Sequence, residues 1–136
     1  MFSVECLVLL RMNKFSFEDL NAYKYARALV RSTYVLIDKF PYSERNALSD
    51  QLRRAVISVP SNIAEGMGRM SVKEQVRFVE ISYGSLMEVL CQLQLAKDLE
   101  YISDVEMNEK REQIQTTAKL ISGLRASLIK TLNTKH

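Results

Sequence analysis

The chain predicts an all-α fold, an antiparallel up-down-up-down four-helix bundle. Three observations carry this. Apolar residues return every three or four positions through four separate segments, the pattern of helices that each bury one face. Ser-x-x-Glu boxes open two of those segments, Ser71 with Glu74 and Ser103 with Glu106. The links between segments are a few residues each, and short links make consecutive helices antiparallel neighbours.

The first helix is expected from Phe17 to Phe40, with Ser16 as N-cap, Asp19 at the capping-box position and Pro41 as its stop. Leu20, Tyr23, Ala26, Val30, Tyr34 and Ile37 form its apolar stripe. The second is expected from Ser43 to Gly66, with Leu48, Leu52, Ala55, Val59 and Ile63 inward. Pro60 lies inside it, removes a backbone donor and should kink it near Val56. Gly66 and Gly68 are expected to supply a left-handed stop.

The third helix follows Ser71 and carries a heptad seam of Val72, Val76, Val79, Tyr83, Leu86, Leu90 and Leu93. A second line runs beside it through Phe78, Ser82, Ser85, Val89, Gln92, Ala96 and Leu99. A face this wide either meets another subunit or marks a central helix buried within one chain. The fourth helix follows Ser103, with Ile114, Ala118, Ile121, Leu124, Leu128 and Leu132 inward.

With 136 residues, 47% apolar and 26% charged, the chain has the size and composition of one globular domain with a real core. Two cysteines, Cys6 and Cys91, make neither a disulfide framework nor a metal site, and the reducing cytoplasm is the default compartment. The apolar run in residues 1–11 is too short to span a bilayer. Its charge order is wrong for a signal peptide, because Arg11 follows the run and Glu5 interrupts it. Translation is therefore expected to start at Met12, with residues 1–11 a misassigned start and 12–136 the single domain. The alternative is an N-terminal extension that packs on a neighbour.

A polar line crosses the hairpin of the second and third helices. Ser58, Asn62, Glu65 and Arg69 share one helical face, and Ser85, Glu88 and Gln92 share another. Antiparallel pairing should bring Arg53 and Arg54 level with Tyr83 to Glu88, and Asn62 near Gln75. Glu88 is then expected to pair with Arg53 or Arg54, because a carboxylate buried alone is costly. Glu65 is expected to pair with Arg69 or Lys73. The plain reading is that these groups fix helix register; the sharper one is a ligand pocket, or acid–base work by Glu65 or Glu88.

Net charge is only +3, but its distribution is uneven. Lys24, Arg27 and Arg31 are the only charges from Leu20 to Ile37, and no acid follows Glu112. In an up-down-up-down bundle, Lys24, Arg27, Arg69, Lys73, Arg77, Arg125, Lys130 and Lys135 collect at one end, away from the acidic stretch Asp98 to Glu112. These are candidate phosphate contacts; the alternative is a solvated face with ordinary helix-end charge bias.

Other chemistries lack their residues. The sole histidine is His136, so the Glu-x-x-His pairs of di-iron bundles are missing, and a structural zinc site lacks its four ligands. Gly66-Met67-Gly68 follows no strand and precedes no Gly-Lys-Ser/Thr, so it is not a phosphate loop. No cofactor, metal or catalytic residue is expected.

Several stretches in order resemble one bacterial family. They are Phe17-Glu18-Asp19-Leu20, Phe40-Pro41 with Glu44, Gln51-Leu52-Arg53-Arg54-Ala55, Ser58-Val59-Pro60-Ser61-Asn62-Ile63-Ala64-Glu65-Gly66 with Arg69, and Gly84-Ser85 with Glu88. The family is the four-helix-bundle group that includes proteins encoded by intervening sequences of large-subunit ribosomal RNA genes. The resemblance covers Phe17 to Leu99 closely, and the fourth helix by general pattern. It implies assembly into a ring-shaped homo-oligomer, a pentamer. Related bundles act as accessory proteins in diversity-generating retroelements, where a basic ring binds nucleic acid and a reverse transcriptase; this chain is much less basic. The expected function is a non-enzymatic, cytoplasmic homo-oligomer that serves RNA or nucleic-acid complexes and has no membrane partner. The alternative is a small-molecule or peptide-binding oligomer that uses the groove between helices two and three.

Overall fold

The computed structural model describes residues 15–134. The expected start at Met12 and the extension 1–11 lie outside them, as do Cys6, Lys135 and His136. A 3-10 turn at Ser16–Asp19 leads into α1, Asn21–Ile37, and a second at Tyr42–Glu44 leads into α2, Leu48–Met67. α3, Val72–Asp98, and α4, Asp104–Asn133, complete four helices, with no strand among the described residues.

α1 is shorter than Phe17 to Phe40 at both ends. Leu20 is extended at φ −67°, ψ 128°, and no side chain caps the helix, so the Ser16–Asp19 capping box does not form. Phe17 instead folds back edge-on to Tyr23, with ring centroids 5.0 Å apart, and that contact draws the segment off the helix axis. At the other end Pro41 bars Phe40 from helical geometry, and the N–H groups of Lys39 and Phe40 tighten onto the Leu36 and Ile37 carbonyls at 3.0 and 2.9 Å. The buried stripe is Ala22, Ala26, Leu29, Thr33, Leu36 and Ile37. Leu20, Tyr23 and Val30 flank it half-buried, and Tyr34, expected inside, is exposed.

α2 begins later than Ser43 because Glu44 acts from outside the helix. Its carboxylate accepts the Leu48 N–H at 3.1 Å, satisfying one of the donors that a helix start leaves open. Leu52, Ala55, Val56, Val59, Pro60 and Ile63 are buried. The left-handed stop is corrected: Gly68 sits at φ −82°, ψ −7°, and no described glycine has positive φ. Gly68 N–H bonds Ala64 and Glu65 carbonyls, and Arg69 N–H bonds the Gly66 carbonyl, closing α2 with right-handed turns. The left-handed residue is Glu100, at φ 63°, in the link from α3 to α4. Gly66 serves close approach instead. A Cβ built there would lie 2.7 Å from Phe78 Cβ.

Ser71 caps α3, accepting the Glu74 N–H at 3.2 Å. Both lines of this helix are used inside the chain. Val79, Leu86 and Leu93 of the heptad seam are buried, and so are Ser82, Val89, Gln92 and Ala96 of the second line. The wide face therefore marks a central helix, packed on α2 along one flank and α4 along the other. α4 opens on a complete capping box of Ser103 and Glu106. It buries Met107, Lys110, Ile114, Thr117 and Ile121 and nothing beyond. Of the expected stripe, Leu124 and Leu128 are only half-buried, and Leu132 is exposed. Cross-contacts explain this. Lys39 pairs with Glu106, and Ser32 Oγ donates to Gln113 Oε1 at 2.9 Å, so α4 runs opposite to α1. Extending that register places Leu124 beside Asn21, where α1 begins.

Candidate functional site

The polar hairpin is built at the α2–α3 contact, where small side chains let two helices come close. Ser58 Oγ and Ser85 Oγ share a hydrogen bond at 2.8 Å. Asn62 Nδ2 donates to the Ser58 carbonyl and to Ser58 Oγ, both at 2.8 Å. Ser82, with no exposed surface, donates its hydroxyl to the Val59 carbonyl at 2.7 Å. Ser58 opposite Ser85 and Gly66 beside Phe78 show the two helices running in opposite directions. The network pairs the hydroxyls of Ser58, Ser82 and Ser85 and the Asn62 amide N–H, which is what buried polar groups need to fix register without a large cost.

The rest of the line does not join it. Glu88 is exposed and accepts from Gln92 Nε2 at 3.1 Å, with no arginine on it. The expected Glu88–arginine pair is thus corrected. The Ser58–Ser85 register carries Arg53 and Arg54 past Glu88, level with Val89 and Leu90, and Arg54 pairs with Asp50 at 3.1 Å one turn back. Arg53 is half-buried with no ion pair among the described residues. Gln92 is buried, and its Oε1 has no hydrogen-bond partner among the described residues. Asn62 does not reach Gln75, whose Nε2 donates to the Arg69 carbonyl at 2.9 Å. Glu65 does pair with Arg69, at 3.0 Å, one of the two partners expected for it. The Arg69 guanidinium also lies over the Phe78 ring, 4.6 Å from its centroid.

The eight candidate phosphate contacts divide by their neighbours. Arg69, Arg77 and Arg125 sit on Glu65, Glu74 and Glu80 at 3.0, 3.8 and 2.8 Å, so much of their field is cancelled. Lys24, Lys73 and Lys130 have no ion pair among the described residues, and Arg27 lies 5.6 Å from the Tyr23 centroid. Lys135 lies outside the described residues.

Two features escaped sequence reasoning. The first is the joint at the far end of the bundle. Tyr101 donates to Glu44 Oε1 at 2.9 Å while Phe40 packs on the Tyr101 ring at 5.5 Å. The hydrogen bond to Glu44, with some burial and the nearby negative charge, pushes the Tyr101 phenol above its ordinary range. Beside it the hydrogen bond from Lys39, then the Ser103 N–H, hold Glu106 below its usual carboxylate value. The second is Lys110, buried on α4 with no ion pair among the described residues; desolvation pushes its ammonium down against the pull of Glu109 and Glu106. Only Glu44 left a signal, three residues after Pro41.

On the outer face of α3, Ile81, Leu95 and Leu99 are 42%, 47% and 53% exposed, in line with Gly84, Glu88 and Cys91. None of the described residues lies within 4 Å of a Cβ placed on Gly84, its own helix backbone and chain neighbours aside. Among the described residues no three of His, Cys, Asp or Glu cluster as a metal site would need, and no helix is long and apolar enough to cross a membrane.

Four helices around one core, with a close-packed polar hairpin at α2–α3, define a small all-helical bundle protein. Residues 18–123 match the 23S rRNA-intervening sequence protein family, and the chain belongs to that family. Among solved structures it is similar to a protein of unknown function from the S23 ribosomal protein family of Bacteroides thetaiotaomicron, at 20% identity and a TM-score of 0.67. The similarity spans 76% of this chain and 97% of that one, and it establishes the shared fold. No curated protein matches the sequence.

Proposed function

We propose that the chain is an up-down-up-down bundle that assembles into a ring-shaped homo-oligomer. In this reading it serves as a non-enzymatic accessory module of RNA or other nucleic-acid complexes in the cytoplasm. The number of subunits is five, as the family resemblance implies. The observation that carries self-association is Gly84. A glycine in the middle of a 27-residue helix costs about 1 kcal/mol relative to alanine, and none of the described residues approaches it closely enough to require one. It stands among exposed Ile81, Cys91 and Leu95, the surface a second helix would cover at close range. Family membership and the unpaired cations support the nucleic-acid role. The groove-binding alternative is weaker, because Ser58, Asn62 and Ser85 use their polar atoms on one another.

Sedimentation velocity tests the assembly. The parent should sediment as one species several times the chain mass, and Leu95→Glu should reduce it to a monomer with unchanged helical circular dichroism. A parent that stays monomeric at tens of micromolar overturns the ring. Salt-dependent binding of RNA tests the role, and a parent that binds no nucleic acid at low salt overturns it.

A further inference from the structure

Some cations of this chain are neutralised by a carboxylate, and others outside α1, among them Arg53, Lys73, Lys119 and Lys130, have no ion pair among the described residues. Arg54, Arg69, Arg77 and Arg125, on α2, α3 and α4 or the turn between them, each lie within 4.0 Å of a carboxylate. α1 is different. It carries Lys24, Arg27 and Arg31 and no acid anywhere from Asn21 to Ile37, and none of the three has an ion pair among the described residues. All three are exposed, on the side of the helix away from the core stripe. Spacings of three and four put them in one row, where like charges repel and destabilise the helix slightly. The same face holds a shallow depression of about 570 Å³ lined by Lys24, Arg27, Ala28, Arg31, Ser32 and Val35. Tyr34, 36% exposed, follows Arg31 by one turn.

We infer that the outer face of α1 is a docking surface for single-stranded nucleic acid, with Lys24, Arg27 and Arg31 on successive phosphates and Tyr34 against a base. This rests on the nucleic-acid reading above and narrows its site from the bundle end, where Arg69, Arg77 and Arg125 are neutralised, to a row on α1 that keeps Lys24 and Arg27 and adds Arg31. The dimensions suit it. Lys24 and Arg31 are seven residues apart, about 10 Å along the helix, and their long flexible side chains can converge on phosphates two steps apart, about 7 Å along a stacked strand. A single cationic row with an aromatic at its end suits one strand, because stacking needs an unpaired base. In sequence, carboxylates flank the row at its ends, Glu18 and Asp19 before it and Asp38 after it, and Glu112 of α4 lines a neighbouring depression with Tyr25 and Ala28. They bound a site about three nucleotides long in each chain.

The test is fluorescence anisotropy of the full chain with a labelled mixed-sequence RNA of about 20 nucleotides, from 50 to 300 mM salt. Lys24→Gln/Arg27→Gln/Arg31→Gln is compared with Lys73→Gln/Lys119→Gln/Lys130→Gln, which removes equal charge elsewhere. Melting curves check that both stay folded. The α1 triple variant should bind at least tenfold more weakly at 50 mM and flatten the slope of log K against log salt by about 2, from about 0.7 per strand phosphate. The control should lose less than threefold. Tyr34→Leu should weaken binding severalfold and leave the slope unchanged, since stacking releases no counterions. Equal losses in the two triple variants would reduce the effect to net charge and overturn the inference while sparing the broader reading. Tighter binding of a hairpin duplex, or binding only to vesicles with anionic headgroups, would also overturn it. A parent that binds neither RNA nor DNA defeats the broader reading itself.

Discussion

Replacing Gly66 by alanine should destabilise the protein, although alanine is the better helix former. Gly66 is buried in α2, where it faces α3. The added methyl would lie 2.7 Å from Phe78 Cβ and 3.4 Å from the Gln75 carbonyl oxygen. Carbon atoms settle at about 3.5–4.0 Å, so the helices must part by roughly 1 Å at this level. A change of rotamer cannot relieve the clash, because Phe78 Cβ is fixed to its own backbone. Overpacking of this kind costs about 1–3 kcal/mol, against a gain of about 1 kcal/mol in helix propensity. The net loss is about 1 kcal/mol, or roughly 3–5 °C in Tm for a domain of this size. Gly123→Ala is the internal control: it lies inside α4 with none of the described residues within 4 Å of an added Cβ, so it should stabilise by about 1 kcal/mol. Urea melts of the two variants isolate the steric cost, which should appear as a gap of about 1–3 kcal/mol. If Gly66→Ala stabilises as much as Gly123→Ala, the helices do not meet there and the close-approach account is wrong.

Three further outcomes can be checked by the same melts. Glu88→Ala should cost less than about 1 kcal/mol, because the carboxylate is exposed and holds only the Gln92 amide; a loss near the roughly 3–5 kcal/mol of a broken buried pair would restore the arginine partner. Glu44→Ala removes the acceptor of both the Leu48 N–H and the Tyr101 hydroxyl and should cost about 1–3 kcal/mol, and an unchanged melt would sever the link between the two connections. Lys110→Met should stabilise at neutral pH. The folded protein holds this lysine below its unfolded pKa, so between the two values the unfolded chain binds more protons and parent stability rises with pH. The advantage of the variant should therefore shrink in alkaline solution, and a gap that is constant with pH would mean that the ammonium is solvated.

Much of the helical architecture was legible because its signals are local. Ser71 and Ser103 start helices through side chains that reach backbone three residues on, and both caps form. Where local rules failed, a distant residue had intervened. Ser16 and Asp19 spell a cap, but Phe17 finds Tyr23 and bends the chain away. Gly66 and Gly68 spell a left-handed stop, but Gly66 is there because Phe78 is. Periodicity sets the polar hairpin residues in a line because it reports which side chains share a face. It does not report which of them the opposing helix covers. Ser58, Asn62 and Ser85 lie in the contact, while Glu88 lies outside it.

The sequence by itself determined four helices, most of their inward residues and the family, since helix propensity, capping and amphipathic period act within a few residues of one another. Only the tertiary structure decided which cations are free. Glu80 and Arg125 are 45 positions apart in sequence and share a hydrogen bond of 2.8 Å, whereas the row on α1 meets no such partner among the described residues. Charge cancellation falls off with distance in space, and a sequence states distance along the chain. The acid-free row Lys24, Arg27 and Arg31 is legible in the sequence, but that Arg69, Arg77 and Arg125 of the bundle end each meet a carboxylate is seen only in the fold.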